Sequence, residues 1–105
     1  MEERTLIELC ELIKRKCKIT WEDEDTDQRI LEIVENADVS MRHMLAMTGA
    51  SADAFLEPGN ARMLVENYCM YDWNNILDQF VINYQREIIA ERHKNEVKNA
   101  SRSDE

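Results

Sequence analysis

The sequence predicts an all-α fold: a small bundle of three to four helices ending in a long C-terminal helical segment. Three observations lead there. Two Gly and one Pro in 105 residues leave too little turn material for a sandwich or barrel. Apolar residues recur at helical rather than alternating spacing along most of the chain. Neither Gly nor Pro occurs from Asn60 onward, so nothing there obliges a helix to stop. The length suits one domain able to bury a modest core without metals or disulfides.

The first helix is predicted to begin at Thr5, where Thr5-x-x-Glu8 fits a capping box. Leu6, Leu9, Cys10, Ile13 and Cys17 follow at helical spacing. It should fade at Lys16 to Lys18, where cations complement the negative end of the helix dipole. After Ile19–Thr20–Trp21, the acidic run Glu22–Asp27 suits the start of a second helix. That helix is expected from Asp23 or Asp25 to Met47, with Ile30, Ile33, Val34, Ala37, Met41, Met44 and Leu45 on one face. Thr48–Gly49 would stop it, Gly49 taking the left-handed position.

Ala50 to Glu57 reads as a loop with one helical turn through Asp53–Leu56. Pro58 suits the first turn of a third helix. Its stripe of Ala61, Leu64, Val65, Tyr68, Cys69 and Trp73 continues in phase through Ile76, Leu77, Phe80, Tyr84 and Ile88. Asn is a weak helix former, so a bend or break is expected at Asn74–Asn75. Tyr68, Trp73, Phe80 and Tyr84 are expected in the core, with Met70 and Tyr71 off that face. Residues 1–98 are read as a single domain and 99–105 as a frayed tail.

The net charge is −9, from 13 Lys+Arg and 22 Asp+Glu. Such a chain repels phosphate, which argues against tight nucleic-acid binding. Three cysteines, Cys10, Cys17 and Cys69, form no disulfide framework. They fall near apolar stripes, where free Cys packs as a small hydrophobe, and a reducing compartment such as a cytoplasm is expected. Met1–Arg4 has no signal-peptide pattern, and no apolar run approaches the ~20 residues that span a bilayer.

No catalytic, cofactor or metal residues are expected. Asp23-x-Asp25-x-Asp27 opens like an EF-hand loop, but Gln28 and Val34 stand where that loop needs Gly and Glu. His43 and His93 have no second His or Cys one helical turn away, and no motif joins nucleophile, base and oxyanion donors.

The order of features resembles a family. An acidic stretch, Glu22–Asp27, opens a helix with Ile30-x-x-Ile33-Val34-x-x-Ala37 and a terminal Thr48–Gly49. A C-terminal block follows: Asn75–Ile76–Leu77–Asp78–Gln79–Phe80, then Asn83–Tyr84–Gln85–Arg86–Glu87–Ile88 and Arg92. From about Leu6 to Val97 the chain is similar to the small head–tail connector, or head-completion, proteins of tailed phages and prophages. The resemblance implies a viral structural protein made in the bacterial host cytoplasm and placed at the head–tail junction of the virion. Such a subunit forms a homo-oligomeric ring, a dodecamer, below the portal protein. The ring extends the DNA channel without sequence-specific binding and offers a platform to a downstream connector or tail protein. It carries no chemistry and no cofactor. The competing expectation is a small cytoplasmic helical regulator or adaptor acting by protein–protein binding.

Two surfaces are candidate contacts. The cluster Lys14, Arg15, Lys16 and Lys18 either complements the helix dipole or meets phosphate or an acidic neighbouring subunit. Ile88, Ile89 and Val97, with Arg92, run past the expected core and are candidates for binding the portal or another partner.

Overall fold

α1 (Glu3–Lys16) buries Leu9, Leu12 and Ile13 and ends on the three bases Lys14, Arg15 and Lys16. It begins before the expected capping box: Glu2 sits at the N-cap without a side-chain bond. Thr5 is buried instead. Its hydroxyl donates to Asp53 Oδ1 at 2.5 Å and ties α1 to a 3-10 turn, Ala52–Phe55. In this computed structural model the other elements are α2 (Glu24–Met44), α3 (Asn60–Trp73), a second 3-10 turn (Leu77–Gln79) and α4 (Phe80–Ser103). The structure describes residues 2–47, 49 and 52–103, with side chains through residue 100, and no strand occurs among them.

Asp23 caps α2. Its Oδ2 accepts from the Thr26 backbone N–H at 3.0 Å and from Thr26 Oγ1 at 2.9 Å. Glu24, Asp25 and Asp27 then fill the first turn, where the exposed N–H groups favour negative charge. Ile30, Ile33, Val34, Ala37 and Met41 are the buried face. Pro58 stands two positions before α3, outside the helix it was expected to open, and Gly59 is the N-cap.

Three helices end in the same way. After α1 the Ile19 N–H donates to the Lys14 carbonyl at 2.9 Å, and Lys18 takes a left-handed φ of 59°. After α2 the Met47 N–H donates to Arg42, and Ala46 has φ 53°. After α3 the Ile76 N–H donates to Tyr71, and Asn75 has φ 61°. Each is a Schellman closure, in which the left-handed residue turns the chain so that two further N–H groups satisfy orphan carbonyls. None uses glycine. α2 therefore stops at Met44, short of the expected Thr48–Gly49. Thr48 lies outside the described residues, and Gly49, at φ 74°, is past the closure. The break expected at Asn74–Asn75 is present.

α3 is the centre of the bundle. Leu64, Val65, Asn67, Tyr68 and Cys69 are all buried. α1, α2 and α4 all pack against it. Where α3 turns into α4, Tyr68 and Tyr71 meet the Phe80 ring edge-on at 5.3 and 5.8 Å, and Tyr84 stacks on Phe80 at 5.2 Å. Tyr71, expected off the core face, thus joins the cluster, and its hydroxyl accepts from Asn83 Nδ2 at 2.9 Å. Trp73 is only partly buried and lies under the Arg29 guanidinium, 4.5 Å from the ring centre. α4 kinks at Tyr84 (φ −116°, ψ 18°) and continues to Ser103, beyond the expected end at 98. The part after the kink, residues 85–103, is about 28 Å of helix, and the molecule measures 49 × 30 × 19 Å.

A left-handed alanine costs about 1–2 kcal/mol, partly offset by the greater freedom glycine gains on unfolding. Ala46→Gly is therefore expected to stabilise the fold by about 0.5 kcal/mol, read as a higher urea midpoint at unchanged slope. A lower midpoint would show that the α2 closure is not formed.

Candidate functional site

Two surfaces stand out. The first is α4. Its inner face begins apolar, with Phe80 and Ile88 in the core, and becomes polar after that. Glu91 is buried and its carboxylate accepts from Asn60 Nδ2 at 3.4 Å; the same amide reaches the Glu87 carbonyl at 3.3 Å. Asn95 Nδ2 donates to the Leu45 carbonyl at 2.7 Å, and Asn99 Nδ2 to the Ala46 carbonyl at 3.1 Å. Both carbonyls lie in the closure that follows α2, Leu45 at the C-cap and Ala46 as the left-handed residue after it. Two asparagines thus latch the far half of α4 across the mouth of α2. Between them lies a polar cleft of about 240 Å³, edged by Met47, Gly59, Asn60, Lys94 and Lys98.

The outer face of α4 differs. Ile82 is 75% exposed, Ile89 59% and Val97 54%. Arg86 and His93 stand between them at one-turn spacing and are also exposed. Of the residues singled out from sequence, Ile89, Arg92 and Val97 lie on this exposed surface, Arg92 pairing with Glu96 at 2.6 Å. Ile88 does not: at 9% exposure it belongs to the core.

The second surface is a groove between α1 and the start of α2. Leu6, Ile7, Cys10 and Leu31 line it, and Glu3, Glu11, Glu24 and Asp25 edge it. The basic cluster meets this groove only at Lys14, whose ammonium is paired with Asp27. That hydrogen bond holds the Lys14 pKa above its ordinary value. Arg15 and Lys18 are exposed, while Lys16 is partly covered. Of the four cations that the sequence sets together, Lys14 is thus already paired within the chain.

All three thiols are held above their ordinary pKa. Burial raises Cys10 to about 11, with Lys14 opposing that rise only in part, and burial likewise raises Cys17 and Cys69. Asp23, the first residue of the EF-hand-like spacing, already accepts two bonds as a helix cap. Among the described residues no three His, Cys, Asp or Glu side chains gather as a metal site, and no described helix is long and apolar enough to cross a membrane. Comparison with known protein families, curated proteins and solved structures finds no match for this chain.

Two outcomes follow. Thiolate supply sets alkylation rate, so Cys10 at pH 8 is expected to react about 100-fold more slowly than an unburied thiol, its rate climbing towards pH 11. Site-resolved mass spectrometry measures this, and a rate within threefold of a free thiol would contradict the packing of Cys10. Asn95→Ala is expected to cost about 1 kcal/mol and to speed amide exchange selectively in the last turns of α4. Uniform acceleration across all helices would contradict a local latch.

Proposed function

We propose that this chain is a structural subunit of a phage head–tail connector. In this reading it assembles as a ring below the portal, extends the DNA channel and presents a platform to the next connector or tail component. The supporting observation is α4, which runs beyond the apolar core and leaves Ile82, Ile89 and Val97 exposed on its outer side. Exposed apolar side chains of this kind offer a surface that a neighbouring molecule would cover. The order of sequence features supports the same reading.

Charge agrees with it. An excess of nine carboxylates repels a duplex, so passing DNA would meet no sequence-independent grip. The three thiols, raised by burial, serve as packing groups in this role.

The test is electron microscopy of the chain mixed with DNA-filled heads carrying the cognate portal. A ring at the portal vertex is expected. Ile89→Glu with Val97→Glu lies on exposed positions, so each change should shift stability by no more than about 0.5 kcal/mol, while attachment to heads should be lost. An empty vertex with the unaltered chain, or full attachment of the double variant, would refute the reading.

A further inference from the structure

We infer that the part of α4 beyond its kink, residues 85–103, is a hinged strap that lifts off the bundle as one unit while the rest of the chain stays folded. The device belongs to the chain alone, whatever assembly it joins. Little of that stretch is covered. Between Gln85 and Ala100 only Glu87, Ile88, Glu91, Asn95 and Asn99 are sheltered from solvent. Of these only Ile88 is apolar. A helix held by a core normally turns about three or four apolar residues inward in every two turns.

Polar bonds hold the remainder. Asn60 Nδ2 reaches the Glu87 carbonyl at 3.3 Å and the Glu91 carboxylate at 3.4 Å. Further out, the Asn95 and Asn99 amides donate to the Leu45 and Ala46 carbonyls. Bonds of this kind add little net stability, because water takes their place when they open. The strap also meets the bundle across the polar cleft of about 240 Å³, with Lys94 and Lys98 on its side and Met47 and Gly59 opposite. It is therefore not sealed to the bundle by a continuous apolar seam.

The boundary between firm and light attachment falls at Tyr84. Before it, Phe80 is fully buried, with Tyr68 and Tyr71 edge-on against its ring. After it comes the thin line just described. α4 contains neither Gly nor Pro, the usual local causes of a kink. The bend is held instead by contacts on either side of it: Tyr84 rests against Phe80 and Tyr71, while Ile88 and the two asparagines draw the strap down. Once those bonds open, nothing in the sequence keeps Tyr84 from becoming helical, and α4 straightens and carries the strap away. Segments that move are drawn from such lightly held parts of a fold. Seated, the strap covers the Leu45 and Ala46 carbonyls and closes one side of the cleft; lifted, it bares both.

Native-state hydrogen exchange of the full chain, read by NMR at urea concentrations below the unfolding transition, tests this. Amides of residues 88–103 are expected to share one protection factor and one urea slope, since a common opening exposes the same surface. That protection should lie about tenfold or more below the protection of Leu64 to Cys69 in α3. Ile88→Ala should speed exchange around Asn99, about three turns away, by about 30-fold or more. The unaltered chain supplies the first two readouts without any variant. Protection that declines steadily towards the C-terminus, or exchange around Asn99 that Ile88→Ala leaves unchanged, describes fraying from the end and overturns the inference. Strap amides as slow as those of α3 overturn it as well, because the strap then opens only with the whole bundle.

Discussion

The bundle depends on burying α3 nearly all the way round. Leu64 and Val65 are adjacent in sequence, as are Tyr68 and Cys69, and all four are buried. Successive helical residues point about 100° apart, so no single-sided packing can cover them. α3 must have helices on more than one side. α1 and α2 arrive from the N-terminal side and α4 from the C-terminal side. Burial of Asn67 follows from the same constraint. Its amide cannot reach water, so it donates to the Met63 carbonyl one turn back, at 2.8 Å, which avoids the cost of an unpaired buried donor.

The turns obey a second constraint, the scarcity of glycine. A left-handed residue is needed to close a Schellman end, and glycine adopts that conformation without strain. Here Lys18, Ala46 and Asn75 do it. Asn tolerates the region best of the three, and the break at Asn74–Asn75 is the one that could be read from sequence. Ala46 carries no such signal, which is why the end of α2 is legible only to within a few residues and the nearest glycine, Gly49, points to the wrong place. Thr5 misleads for a related reason. Its hydroxyl suits a cap, but a partner 48 residues away, Asp53, outbids the local backbone.

Helix number, type and core stripe were legible because apolar periodicity is a local property of the chain. Ile30, Ile33, Val34, Ala37 and Met41 are buried as their spacing requires. The far half of α4 was not legible in the same way. Periodicity places Ile88 on the core stripe but says nothing of Glu91, Asn95 and Asn99, whose partners come from α3 and the end of α2. Polar residues at core spacing look like a solvated tail in the sequence. They become an inner face only once orphan carbonyls stand opposite. The exposed residues Ile89 and Val97 were legible as apolar positions continuing past the core, whereas the α1–α2 groove depends on two helices meeting and has no sequence signature of its own.

Net charge and self-association are compatible in such a molecule because they act over different distances. At physiological ionic strength fields decay over about 8 Å, well within the 30 Å breadth of the subunit. Two acidic copies therefore feel little of each other's total charge until their surfaces nearly touch. At that range the groups directly opposed decide the sign, and carboxylates crowd one such place, the α1–α2 groove. Exposed pairs of this kind contribute little each. Apolar contact has to supply most of the affinity wherever such a surface meets a partner, and exposed charges set register and direction. A contact balanced in this way is weak singly and gains strength only when several act together.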